Sequence, residues 1–178
     1  MNEVKQYGFI APEIDYENDY VLGGFRSAPK EILRENGQWD EFLPTQEIQH
    51  NTRFDSYNCT GYGTLNALEI LMFRKFGISI NFSERYTGIC ADTYPPGNDP
   101  QTVIQSIKNE AGLIEEFYLP FTSQDINMTL DEYYFPDPMS ENLSKRGKRF
   151  LEEYKIKHEW AFWPDEKDKT SKLKETLK

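Results

Sequence analysis

Apolar residues recur at a helical period through one long stretch of the chain. Gly61, Leu65, Leu68, Met72 and Phe76 are spaced by four, three, four and four positions, one face of a 3.6-residue helix. Ala67 and Leu71 widen that stripe, so the helix is expected to be largely buried. Asn58 is placed to cap its start, because an asparagine oxygen can accept from the free N–H groups of a first turn. Gly77 is placed to end it in the left-handed conformation.

Shorter patterns follow. Ser83 predicts the cap of a second helix over Glu84, Arg85 and Tyr86. Tyr94-Pro95-Pro96-Gly97-Asn98 reads as a turn. Asp99 then caps a third helix with Pro100 at its first position, an apolar face of Val103, Ile104, Ile107 and Ala111, and Gly112 at its end. The segment 122–140 has no period and reads as a loop. A helix is expected over 143–154 with Leu143, Phe150, Leu151 and Tyr154 inward, a strand over 156–162, and a last helix from Ser171 carrying Leu173 and Leu177. Residues 1–45 show little regularity and form an extended lead-in to a domain spanning 46–178. There is no internal repeat.

Composition narrows the function classes. With 38% hydrophobic residues in 178, the chain can bury a core. A net charge of −10 argues against a general nucleic-acid binder, and the basic segment 140–178 reads as solvated helix faces. No apolar run is long enough to span a membrane, and the first residues lack the apolar core of a signal peptide. With only Cys59 and Cys90, the expectation is a reducing, cytoplasmic setting at synthesis.

The candidate chemistry lies at Cys59. It opens the long helix, where the macrodipole and unpaired N–H groups favour an anion. A thiol there is expected to have a lowered pKa, and the thiolate is the nucleophile. The plain alternative is a small core residue. Phe54 to Gly77, with Cys59-Thr60-Gly61-Tyr62-Gly63 and Asn66-Ala67-Leu68-Glu69, resembles the active-site loop and central helix of bacterial and viral papain-like cysteine peptidases. Ser83, Glu84 and Cys90 match a second segment of that family, and Gly112 to Glu116 with Leu119-Pro120-Phe121 a third. The family's first signature cysteine aligns with Ser56, so its disulfide to the Cys90 position is absent and Cys90 is expected to be a partly buried free thiol.

The resemblance implies an α+β papain-like fold, mostly the helical left-hand domain, with the β-rich half largely missing. It implies a cysteine-type peptidase acting on peptide or protein substrates, with no cofactor and no metal. Cys59 would be the nucleophile. Gln49, ten residues upstream, would donate to the oxyanion beside the Cys59 backbone N–H, with Gln46 as the alternative. The family's histidine and asparagine fall roughly 130–150 residues after the cysteine, past Lys178. His158 follows Cys59 by 99 residues and lacks the family's flanking pattern, and His50 precedes it. This chain alone is therefore expected to be silent toward peptides. Two other readings stand beside the peptidase: a non-catalytic module that keeps the helical half for binding, and a different cysteine hydrolase, such as an amidase, using His158.

Overall fold

The computed structural model describes residues 8–10, 35–36, 38–122, 125, 127–136, 141–158 and 167–176. The chain divides into two units, one of Met1–Pro12 with Phe42–Ile156 and one of Glu13–Glu41 with Lys157–Lys178. The first is a helix-dominated assembly. Among the described residues its paired strands are two residues each, β1 (Gly8–Phe9) and β2 (Gly97–Asn98), which run parallel.

Helix α1 covers Cys59–Phe76 and stops where Gly77 turns left-handed at φ 68°. Its bounds match the expectation, and Gly61, Leu65 and Met72 of the expected face are buried, but the rest of the stripe is not. The buried side carries Thr60, Gly61, Tyr62, Leu65, Glu69 and Met72. Leu71 and Phe76, expected inside, are 47% and 49% exposed, and Ala67 is exposed as well. The stripe is turned toward Glu69, only 3% exposed, because its Oε1 accepts the Phe82 backbone N–H at 2.8 Å. A buried N–H must find an acceptor, and that requirement overrides the apolar count.

Helix α2 (Glu84–Cys90) starts where the Ser83 hydroxyl accepts from the Tyr86 N–H. Helix α3 (Pro100–Ser106) starts where the Asp99 carboxylate accepts from Thr102. The chain then widens into a π turn over Ile107–Ala111, closed by Gly112 N–H on the Ile107 carbonyl at 3.0 Å. Gly112 has φ 65°, and a Cβ there would fall 1.8 Å from the Gly147 carbonyl oxygen. Glycine is needed for both the conformation and the close approach. The partner helix, α5, covers Glu141–Glu153.

The core has two centres. Leu65, Met72, Phe82, Ala91, Val103, Ile104, Ile107 and Leu113 pack together, with Phe150, Tyr154 and Ile156 against them. Phe121, Tyr133 and Tyr134 form the other, with Phe54, Ile89, Met128 and Leu130 around them. Both tyrosines lie on α4 (Leu130–Tyr134), inside the segment expected to be a loop. Thr129 and Glu132 close a reciprocal capping box at its start.

In α5, Gly147 is the buried residue, while Leu143, Phe150 and Leu151 are half-buried. The expected strand is absent over 156–158, and its remainder lies outside the described residues. In the second unit α6 (Lys169–Thr176) begins two residues before the expected start, with the Asp168 carboxylate accepting from Ser171 at 3.2 Å. Its Leu173 is 48% exposed, and Leu177 lies outside the described residues. Among the described residues no helix is long and apolar enough to cross a membrane.

Candidate functional site

The approach to Cys59 is a narrow antiparallel loop. Ser56 N–H donates to the Gln49 carbonyl at 3.0 Å and Asn51 N–H to the Phe54 carbonyl at 3.1 Å. Between those bonds His50 and Asp55 form a bridge pair. This is the close, non-hydrogen-bonded type of antiparallel pair, in which the two side chains leave the ribbon on the same side. The Asp55 carboxylate accepts the Tyr57 N–H at 2.8 Å. That bond spans Ser56 and holds Tyr57 left-handed at φ 56°, a costly conformation for a bulky residue. Tyr134 fixes the same loop from α4 by donating its hydroxyl to the Ser56 carbonyl.

Asn58 does not cap α1 with its side chain. Its amide turns inward, fully buried, and donates to the Glu84 carbonyl at 2.8 Å. It fills the crossing of α1 and α2, where a Cβ on Gly61 would lie 2.3 Å from its oxygen and one on Gly88 2.8 Å from its nitrogen. The asparagine is thus a wedge, and the two glycines make the space for it.

Cys59 is half-buried, as is Cys90, and neither is in a disulfide. The Cys59 thiol is not lowered as expected but raised. Burial is the largest cause and the Asp55 charge adds to it, while the Thr60 and Cys59 backbone N–H groups pull the other way. The helix end acts in the expected sense and is outweighed. Cys90 is raised too, by burial, with a hydrogen bond from Tyr86 opposing.

Gln49 is joined to the loop before Cys59 through its backbone carbonyl. It lines a cavity of about 390 Å³ between the segment 43–49 and α1, with Gln46, Glu47, Tyr62 and Asn66. Both candidate glutamines reach this cavity, and Cys59 is not part of its lining. His158 belongs to the second unit. Asp55 is the residue of this loop that the sequence reading did not single out. The available signal was Asp55 two residues before Tyr57, the spacing of an Asx turn.

Behind the cavity wall the interior is acidic. Glu84 is 3% exposed, with its carboxyl in hydrogen-bond reach of Glu47 and held well above the usual range by burial and that contact. Burial pushes Glu116 up to about 7 against the Phe121 N–H that it accepts, and Glu69 to about 7 against the Phe82 N–H. Among the described residues no group of three or more His, Cys, Asp or Glu side chains is arranged to hold a metal ion. Comparison of the chain with family models, with curated proteins and with solved structures found no match.

Proposed function

We propose that this chain carries the helical part of a papain-like cysteine peptidase, with Cys59 as the residue that attacks a peptide carbonyl. The supporting observation is the seating of that thiol. Cys59 is the first residue of the longest helix among the described residues, half-open to solvent, with the Thr60 N–H directed at its sulfur. The Cys59 thiol would pass its proton to an imidazole base and attack the carbonyl carbon as the thiolate, the C=O bond opening to an oxyanion that takes the Cys59 N–H. Collapse of that intermediate would break the C–N bond, with the imidazolium returning the proton to the leaving amine. Gln49 would serve as second donor if the segment 43–49 brought its amide to that oxygen.

The test is peptide turnover and labelling by a peptidyl epoxide, in the natural protein and in Cys59→Ala. Turnover and labelling that both vanish in the variant are the expected result. Undiminished turnover in Cys59→Ala overturns the reading.

A second reading, a binding module of the same fold, draws support from the raised thiol and from a cavity whose lining omits Cys59. Saturable peptide binding that is unchanged in Cys59→Ala, without cleavage or labelling, would favour it.

A further inference from the structure

The cavity between the segment 43–49 and α1 is held open by contacts at its two ends. At one end the Phe42 and Phe73 rings meet edge to face, with centroids 5.7 Å apart. At the other, the Tyr62 hydroxyl donates to the Ile48 carbonyl at 3.2 Å, and the Ser56 N–H donates to the Gln49 carbonyl at 3.0 Å. Between these points the segment passes α1 with no regular secondary structure. Tyr62, Asn66 and Ile70 line the helix side, one turn apart on a single face. The volume of about 390 Å³ is that of a small-ligand site.

The polar groups of this lining are unspent. Gln46, Gln49 and Asn66 make no side-chain hydrogen bond among the described residues. Glu47 is the one charged residue in the lining, no cation among the described residues pairs with it, and its Oε2 is buried with no hydrogen-bond partner. Leu43, Pro44 and Ile70 add apolar surface beside these groups.

That inventory selects a class of ligand. Each amide offers an acceptor oxygen, the Tyr62 oxygen can still accept after donating to Ile48, and a carboxylate only accepts. No lining residue carries positive charge, so an anion would lose its hydration without compensation. A cleft with charge of one sign and apolar walls concentrates the opposite ion. A guanidinium brings five donors in a plane and no acceptor, on an aliphatic stem that covers apolar surface.

We propose that this cavity binds an arginine side chain presented by a peptide, with the guanidinium toward Glu47 and the amide oxygens and the stem against Leu43, Pro44 and Ile70. Cys59 lies outside the lining, so the site binds whether or not that thiol reacts.

The probes are Nα-acetyl-arginine methylamide and its citrulline counterpart, which keeps the stem but carries a neutral urea in place of the guanidinium. Each is titrated into the natural protein and followed by the backbone amide signals in NMR spectra. Saturable shifts centred on Gln46, Glu47, Gln49 and Asn66 are expected. Arginine should bind at least about tenfold more tightly than citrulline, the worth of one charge-assisted pair. Glu47→Gln should erase that preference, Asn66→Trp should block both probes by filling the cavity, and Cys59→Ala should bind as the native chain does. Absence of saturable shifts at these residues overturns the site, as does equal affinity for the two probes. A preference that persists in Glu47→Gln, or binding that disappears in Cys59→Ala, overturns it too. The comparison of probes in the native chain needs no variant, so a variant that misfolds does not shield the proposal.

Discussion

Glu69 offers the sharpest energetic test. Its carboxyl is 3% exposed, accepts the Phe82 N–H through Oε1, and leaves Oε2 buried without a partner. Burial raises it from 4.5 to about 7 in the folded chain. The folded state therefore keeps its proton over a pH range in which the unfolded chain has lost it. Below pH 4.5 both states are protonated and stability is unaffected. Above it, stability falls as pH rises and levels off past the folded value near 7. The full loss is about 3.5 kcal/mol for this one group, taking each pKa unit as roughly 1.4 kcal/mol.

Glu69→Gln keeps an acceptor for Phe82 and removes the titration. Any pH-independent cost of the amide cancels when each protein is compared with itself at two pH values. Urea unfolding, followed by far-UV circular dichroism at pH 5 and pH 8, measures the double difference. The native chain should lose about 2–3 kcal/mol more than the variant, or roughly 1–1.5 M in midpoint for a slope near 2 kcal/mol per M. The native chain should also show a further decline from Glu84 and Glu116, which the variant shares. Parallel pH profiles for the two proteins would refute the claim that Glu69 ionises at a cost.

Gly112→Ala should destabilise the first unit by about 3 kcal/mol or more, because the new Cβ meets the Gly147 carbonyl at a left-handed position; a midpoint within experimental error of the native chain would count against the close α5 contact. Asp55→Asn keeps an acceptor for the Tyr57 N–H but removes the charge beside Cys59. The pH midpoint of iodoacetamide alkylation at Cys59 should move down while that of Cys90 stays put, and an unmoved Cys59 midpoint would rule out Asp55 as a cause.

The sequence made legible those features that rest on neighbours in the chain. Gly77, Ser83 and the Asp99-Pro100 pair mark their helix ends as expected because cap chemistry is local. The facing of α1 was legible at Gly61, Leu65 and Met72 but not at Glu69, which turns inward because Phe82 finds its acceptor there across the core. Helix α4 was hidden by its acidic, tyrosine-rich composition, although Thr129 and Glu132 stood at capping-box spacing. At the candidate site, the place of Cys59 could be read and its ionisation could not. The ionisation depends on half-burial and on Asp55, which the loop folds toward the thiol. Gln46 and Gln49 could be singled out by type, but their common cavity follows from the path of the segment 43–49.

One residue links these failures. A capping asparagine would turn its oxygen onto the first N–H groups of α1, and Asn58 instead gives its amide to the crossing with α2. The wedge needs Gly61 and Gly88 on either side, so the sequence commits three positions to the crossing rather than to the cap. The consequence falls on the next residue. With the cap oxygen withdrawn, the Thr60 and Cys59 N–H groups are left to act on the Cys59 sulfur, and they pull its pKa down. That pull does not offset burial, because a helix end is typically worth only about 0.3–1 kcal/mol when exposed. A thiol in this seat is positioned but not charged, and ionising it takes a cation or imidazole brought against the sulfur, or removal of the Asp55 charge.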